Sequence, residues 1–349
     1  MVLILSSNGA LGKQIAISAI LVFGVKKVIL SDYKPDRLAQ QQRLLHGLAG
    51  SEPAVRLIDV RSAESIRNNL HGVDLVVVAL QQQEPIVQQV CSENGISSID
   101  LSVNPDFLEQ CLSLSPMPQG TQLIGGGLFP GLSGILAKEV YAKGPEQETI
   151  DIGLLQSTHG TNGKTGVADM LQILDKKVEW KSAASSKAYP GFSLKKRFDF
   201  PLAMGAKTLR LAAFIEREYL CKAGVPANYW TAFDKAYFNE ALALAARFGL
   251  LRLFQNPKVG PWLSALIAQP NGGKRKENIG LAAQRSKQTI AWMLSADYEA
   301  TAACTVAFSQ LMLTRHTDSA GVKFPFELFT LNDVRPFLKD VILAEKISF

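Results

Sequence analysis

Several short stretches of this sequence hold residue types at spacings that suit chemistry. Residues 2–5, VLIL, run into Ser7-Asn8-Gly9-Ala10-Leu11-Gly12, and a helical pattern follows. In such a strand-to-helix turn Gly9 lets the backbone approach a pyrophosphate, and Gly12 lets the helix lie close on its strand. The N–H groups and positive dipole at the helix start attract phosphate. Twenty residues past Gly12, Asp32 ends the next apolar run, VILSD, where a carboxylate can accept hydrogen bonds from a ribose. The pattern is a dinucleotide-binding turn with Ser7 in place of its first glycine. The charge on Asp32 favours NAD. Lys34 and Arg37 lie just beyond and suit the 2′-phosphate of NADP, so both cofactors stand. Asp59 and Val60, ending the third apolar run, are expected to flank the adenine. Ala79 and Leu80, ending the fourth, are expected beside the nicotinamide ribose.

Further candidates lie downstream. Asp100 ends the strand-like SSID, where it is either a proton-transfer group at a cleft or a turn aspartate before Ser102 and Asn104. STHGTNGKTG (157–166) contains His159, a candidate proton donor, and Lys164, a candidate anion ligand at a helix start. The same loop also reads as ordinary glycine and asparagine turn chemistry. It resembles the phosphate loop of Mur-type ATP-dependent ligases. An ATP site is disfavoured because the loop sits mid-chain, no acidic magnesium partner follows, and the first 130 residues already complete a nucleotide fold. GGGLFPGLSG (125–134) places five glycines and Pro130 at the end of another strand. Gly127 and Pro130 are expected to floor a reaction site near the nicotinamide and to hinge into the next domain. A short-chain-dehydrogenase mechanism is excluded, since no tyrosine is followed by lysine four positions later.

The elements that must hold these residues alternate. Short β-branched runs at 2–5, 28–32, 55–60, 74–80, 97–103 and 121–127 are separated by helical patterns. Continuous apolar strands with intervening helices give a parallel sheet covered on both faces, a Rossmann-type doubly wound α/β fold. After Pro130 the pattern changes. LSGILAKEVYAK reads as a helix, TIDIGLLQS as a strand, VADMLQILDKK as a helix, 181–215 as strands and loops, and 227–268 as mostly helical and apolar. KQTIAWMLSADY reads as a strand, and EATAACTVAFSQLMLTR as a buried helix.

Composition narrows the class. At 47% hydrophobic and 19% charged the chain suits a globular protein with two cores. A net charge of +6 suits an anionic small-molecule ligand. The basic runs at 195–197 and 274–276 lack interleaved aromatics, so no nucleic-acid partner is expected. Four cysteines without a CxxC pair suggest reduced thiols in the cytoplasm, and the four histidines show no metal-ligand spacing. The start MVLILSSNGALG has no basic n-region, so no leader is expected, and the sequence has no run of about 18 apolar residues.

Four segments resemble the saccharopine dehydrogenase-like oxidoreductases: VLILSSNGALGKQIA with VILSDYKPDRL, ISSIDLS, GGGLFPGLSG, and ADYEATAACTVAFSQLML with AGVKFPFELF. The resemblance covers roughly residues 1–140 and 285–330. It implies that the C-terminal helix returns to the nucleotide domain, making the substrate domain an insertion. The expected division is therefore 1–130 joined by 298–349 as the NAD(P)-binding domain, and 131–297 as an α+β substrate and oligomerisation domain. Tyr33 stands where NADP-preferring relatives often carry arginine. The resemblance implies hydride transfer to or from an imine or amino-acid-like small molecule, and a homodimer is expected. Two alternatives remain: a reductase of enoyl or lipid-type substrates, with the apolar 240–268 stretch lining a tunnel or touching a membrane surface, and a dinucleotide-binding protein without turnover.

Overall fold

The computed structural model describes residues 1–114, 120–144, 148–158, 164–182, 185–255, 277–286, 288–315 and 320–349. Two compact units emerge. One comprises 1–132 and 298–339, the other 133–297 and 340–349.

The first unit is built on β1 (Val2–Leu5), β2 (Val28–Asp32), β3 (Ala54–Leu57), β4 (Leu75–Val78), β5 (Ser97–Asp100) and β6 (Thr121–Ile124). A short strand, Gly321–Lys323, extends the sheet beyond β6. All pairings are parallel, in the order Gly321–Lys323, β6, β5, β4, β1, β2, β3. The apolar runs earn their burial on both sides. Val2 and Ile4 pack with Ile15 and Ala19 of the helix Ala10–Phe23 and with Ala302 and Val306 of the helix Asp297–Thr314. Leu3 and Leu5 point the other way, onto Ile66 of Ala63–Asn68 and Val87 of Ile86–Glu93. Successive side chains of a strand face opposite sides, so helices cover both faces. This is a Rossmann-type doubly wound α/β sheet.

The second unit carries β7 (Ile150–Gln156), β8 (Val178–Ser182), β9 (Ser185–Tyr189), β10 (Lys195–Asp199), β11 (Ala206–Ala212), β12 (Ala227–Phe233), β13 (Ile279–Arg285) and β14 (Gln288–Leu294). With the Gly321–Lys323 strand counted as β15, the last is β16 (Ile342–Ser348). The main sheet runs β10-β11-β12-β7-β13-β14-β16, parallel between β12 and β7 and otherwise antiparallel, while β8 and β9 pair separately. Phe198, Phe200, Leu209, Leu211 and Trp230 form its core. Gly153 and Gly280 leave room for the Phe198 and Phe200 rings, which would lie 2.7 Å from a Cβ at either position.

Two expectations change. ANYWTAF (227–233) is β12, not helix. Its aromatic and β-branched residues suit a pleated, buried surface, and Tyr229 and Trp230 are buried there. Helix follows over Ala236–Arg247, with a 3-10 helix over Leu250–Gln255, and 256–268 lies outside the described residues. Residues 340–349, expected with the first unit, belong to the second, because β16 pairs along β14.

Candidate functional site

Strand order in the first sheet reverses direction at β1 and β4, since β2 and β3 lie to one side and β5 and β6 to the other. In open parallel sheets such a switch point opens a crevice at the carboxyl ends of the strands. The turn after β1 enters there. Ser6 takes a left-handed φ of 57° and Gly9 N donates to Ser6 O. Gly9 is the N-cap of Ala10–Phe23, which has neither a side-chain cap nor an acidic residue in its first turn. The first N–H groups of a helix have no intrahelical acceptor, so this start is open to an anion. A Cβ on Gly9 would sit 3.3 Å from Ser6 O and 4.0 Å from Ala79 O, which places the β1 turn against the end of β4. A Cβ on Gly12 would overlap Ser6 O outright. Ala10 is exposed and Leu11 packs partly into the core.

Ser7 and Asn8 do something the sequence did not suggest. Ser7 N and Oγ both reach Ser31 O, at 2.9 and 3.2 Å, and Oγ donates to Gln41 Oε1 at 2.7 Å. Gln41 Nε2 returns to Ser7 O at 2.5 Å. Asn8 Nδ2 donates to Arg37 O at 2.9 Å. Both side chains therefore tie the turn to β2 and to the helix Pro35–Ala49. The missing first glycine is replaced by an internal lock. Gln41 lies 34 residues from Ser7, so no spacing rule pointed to it.

At the end of β2, Asp32 is buried, and its Oδ1 accepts from Lys34 N at 3.1 Å. Its Oδ2 takes no hydrogen bond among the described residues. Tyr33 is exposed, and the Lys34 ammonium lies over its ring at 5.3 Å. Asp59, after β3, is clasped by Arg61 through Nε at 2.9 Å and Nη2 at 2.8 Å, which holds its carboxyl down at about 2. Val60 and Leu80 pack partly buried against one core cluster, and Ala79 against the other.

Asp100, at the end of β5, is wholly enclosed. Oδ1 accepts from Ser102 N at 2.7 Å, and Oδ2 from Gln88 Nε2 at 2.7 Å and Gln82 Nε2 at 3.1 Å. Burial pushes its carboxyl up to about 7 against these donors. The turn reading of Asp100 accounts for Ser102, but neither glutamine was anticipated. The run Gln81-Gln82-Gln83, shortly after β4, was the available signal for Gln82, and Gln88 had none.

The glycine turn after β6 folds on itself. Gly127 bridges to Gly131, and a Cβ on Gly131, at φ 124°, would overlap the carbonyls of both Gly125 and Gly127. A Cβ on Gly126 would overlap Ile99 Cγ2, and one on Gly127 would lie 3.2 Å from Thr301 Cγ2. Thr305 Oγ1 donates to Gly126 O. Gly127 and Pro130 are buried, and the next helix, Leu132–Ala142, starts two residues after Pro130. What comes close to these glycines is their own chain, β5 and the helix Asp297–Thr314.

His159 lies outside the described residues. Lys164 opens the helix Lys164–Asp175 in the second unit, with its side chain outside the described set. That unit holds a polar cluster the sequence did not reveal. Glu216, with 0% exposure, accepts from Ser133 Oγ and from Tyr229 OH, each at 2.5 Å. Burial, and then the Glu216 charge, hold the Tyr229 phenol well above its usual range. The basic run 195–197 is ion-paired throughout: Lys195 with Glu240, Lys196 with Asp151, Arg197 with Asp199. Among the described residues no His, Cys, Asp and Glu group is arranged for a metal, and no helix is long and apolar enough to cross a membrane.

The first unit thus has the strand order and turn of the dinucleotide-binding fold class, with a second, mixed sheet inserted. Along its full length the chain is similar to apo saccharopine dehydrogenase (L-Glu forming) of Saccharomyces cerevisiae: TM-score 0.64 at 14% identity, covering 100% of this chain and 99% of that one. The fold is saccharopine dehydrogenase-like. The chain is also similar to a putative myo-inositol dehydrogenase from Sinorhizobium meliloti 1021 (TM-score 0.47, 10% identity, 97% of this chain and 93% of that one) and to a probable dehydrogenase from Thermotoga maritima (TM-score 0.44, 11% identity, 97% and 93%). No protein-family model and no curated protein matches the sequence.

Proposed function

We propose that this protein is an NAD(P)-dependent oxidoreductase that transfers hydride to or from an imine or amino-acid-like small molecule. One observation carries the reading: an uncapped helix start, free of acidic residues, meets the sheet at its β1–β4 switch point with Asp32 at the end of the adjacent strand. The donor set fits a dinucleotide. The Ala10–Phe23 start, with Gly9 leaving its backbone bare, suits the pyrophosphate. Asp32 Oδ2 suits a ribose hydroxyl, and Tyr33 with Arg61 the adenosine side. When bound, the cofactor supplies a hydride donor or acceptor.

The chain's own residues bind, orient and exclude water. NAD is favoured over NADP, because Asp32 presents a carboxylate where a 2′-phosphate would sit, Lys34 rests on Tyr33 and Arg61 is held by Asp59. Lys164 and His159 are the candidates for a substrate anion and a proton. The 131–297 region is read as the substrate domain, within a homodimer in the cytoplasm. The resemblance of GGGLFPGLSG and the full-length likeness to a saccharopine dehydrogenase fold support an amino-acid-like substrate over a lipid-type one.

Titrating the protein with NADH, NADPH and ATP by fluorescence tests the class. NADH is expected to bind and Asp32→Ala to weaken it about tenfold, the loss of one charge-assisted hydrogen bond or somewhat more. ATP binding without dinucleotide binding overturns the reading. A panel of oxo acids with amines, read by NADH oxidation, then tests the substrate class.

A further inference from the structure

We propose that Asp100 is a positioning residue: its ionised carboxylate, as the common acceptor for Gln82 and Gln88, fixes residues 79–85 at the crevice edge, so that dinucleotide affinity requires that carboxylate to be charged. The inference rests on the dinucleotide reading above.

The hydrogen-bond directions carry it. Val87 N donates to Gln82 Oε1 at 3.4 Å. Gln82 Nε2 donates to Gln88 Oε1 at 3.3 Å and to Asp100 Oδ2 at 3.1 Å. Gln88 Nε2 donates to the same Oδ2 at 2.7 Å, and Ser102 N fills Oδ1 at 2.7 Å. Every donor in this chain of amides points to Asp100, and none is returned. Both lone pairs of Oδ2 are taken by Gln82 and Gln88, so a proton there would displace one of them. A proton on the second lone pair of Oδ1 would turn the two charge-assisted bonds at Oδ2 into weaker neutral ones, the longer Gln82 bond first to let go. Gln82 is the link with freedom to leave. It is half-buried, whereas Asp100 and Gln88 have 0% exposure.

What Gln82 holds matters for the crevice. It lies in the segment that begins with Ala79 and Leu80, and Ala79 O faces Gly9 at the phosphate turn. Gln82 also caps the helix Ile86–Glu93, whose N-cap, Pro85, offers no side-chain bond. On the other side, the Asp100 carbonyl accepts from Gly126 N at 2.8 Å, so one residue tethers both the 79–85 segment and the glycine turn. A carboxyl without exposure is poorly placed to hand a proton to a substrate, and its three donors are those of a scaffold.

The surroundings leave Asp100 to titrate almost alone. Val78 of β4 and Ile124 of β6 flank it in the sheet. Gln88 faces it from Ile86–Glu93 and Gln82 from the preceding segment. The Cys111 thiol faces it from Pro105–Leu112, pushed up by burial and then by the Asp100 charge. No Lys, Arg or His pairs with it among the described residues. Burial puts its titration near neutrality, at about 7.

The test is NADH and NADPH affinity of the full chain, by fluorescence titration from about pH 5.5 to about pH 8.5, with Asp100→Asn and Gln82→Leu. Wild type is expected to bind about tenfold more weakly at the acid end, the worth of one charge-assisted bond. Asp100→Asn presents a donor in place of an acceptor and is expected to stay at the weak level throughout. Gln82→Leu keeps the buried carboxylate and is expected to flatten the profile at the same weak level. A purely structural Asp100 would lower the melting temperature and leave the profile unmoved. If Asp100→Asn does not fold, Gln82→Leu decides alone. A wild-type profile without pH dependence, or one that Gln82→Leu leaves intact, overturns the inference while the cofactor reading stands. Absence of NADH and NADPH binding at every pH overturns both.

Discussion

Gly9 and Gly12 sit three residues apart in one turn, yet the structure assigns their missing side chains to different tasks, and alanine at each separates them. At Gly12 a Cβ would overlap the Ser6 carbonyl oxygen and lie 3.0 Å from Ser6 C and Ser7 Cα. All three are backbone atoms of the segment locked by Gln41, so they do not yield easily. Restoring contacts of about 3.5–4.0 Å means moving the helix Ala10–Phe23 off its strand by at least about 0.5 Å, and further for the oxygen. Overpacking of this kind costs about 1–3 kcal/mol, with the upper end expected for a backbone clash, while alanine regains about 1 kcal/mol of helix propensity. The net loss is about 2 kcal/mol. With a urea slope of about 1–3 kcal/mol per molar, the unfolding midpoint falls by about 1 M.

At Gly9 the same methyl meets Ser6 O at 3.3 Å, Ser6 Oγ at 3.4 Å and Ala79 O at 4.0 Å, and the backbone, φ −65° and ψ 165°, suits alanine. The small capping loss and the entropic gain nearly cancel, so stability changes by under about 1 kcal/mol. NADH affinity is expected to fall about tenfold or more, because a pyrophosphate can no longer approach the bare backbone. Urea denaturation and NADH titration of both variants complete the experiment. Gly9→Ala with wild-type affinity refutes the placement of the phosphates, and Gly12→Ala with wild-type stability refutes the packing account.

Other substitutions test the remaining assignments. Ser7→Gly restores the usual fingerprint residue, yet it strips a buried partner from Gln41; it is expected to cost about 1–3 kcal/mol in urea denaturation and to leave NADH affinity no tighter. Tyr229→Phe leaves Glu216 with one fewer donor in a buried site and is expected to destabilise the second unit by about 1–3 kcal/mol, read by calorimetry. Asp100 holds its proton to about pH 7 in the fold and to an ordinary carboxylate value when unfolded. The native state therefore binds more protons between those values, and stability falls as pH rises from about 4 to about 7, by on the order of a few kcal/mol. Asp100→Asn is expected to flatten that limb in urea midpoints measured across the range.

The parts of the fold that were legible from sequence are those decided locally. β1, β2 and β4 are short, mostly apolar runs buried on both sides, and that signature survives in a single sequence, while β5 (SSID) and β6 (TQLI) were legible from their place in the strand–helix alternation. The Gly9 turn was legible because strand, glycines and helix lie within a dozen residues. β12 was not: Tyr229 and Trp230 sit before a helical stretch, and only the β7 and β11 partners on either side settle the matter. The polar locks were illegible for the same reason. Ser133 reaches Glu216 across 83 residues, and Asp100 reaches Gln88 across 12 in a different element. Gly126 and Gly131 were visible as glycines, but their reason, contact with Ile99 and with their own carbonyls, exists only once the turn has closed.

The pairing of β16 with β14 bears on the order of assembly. The backbone passes between the two units at residues 132–133, 297–298 and 339–340. The second sheet thus takes its outermost strand from residues 342–348, well over a hundred positions after β7 is synthesised. During translation every strand of the first sheet has emerged before that last one. Until it arrives, β14 presents an open row of N–H and C=O groups, the kind of edge on which unfinished chains pair with one another.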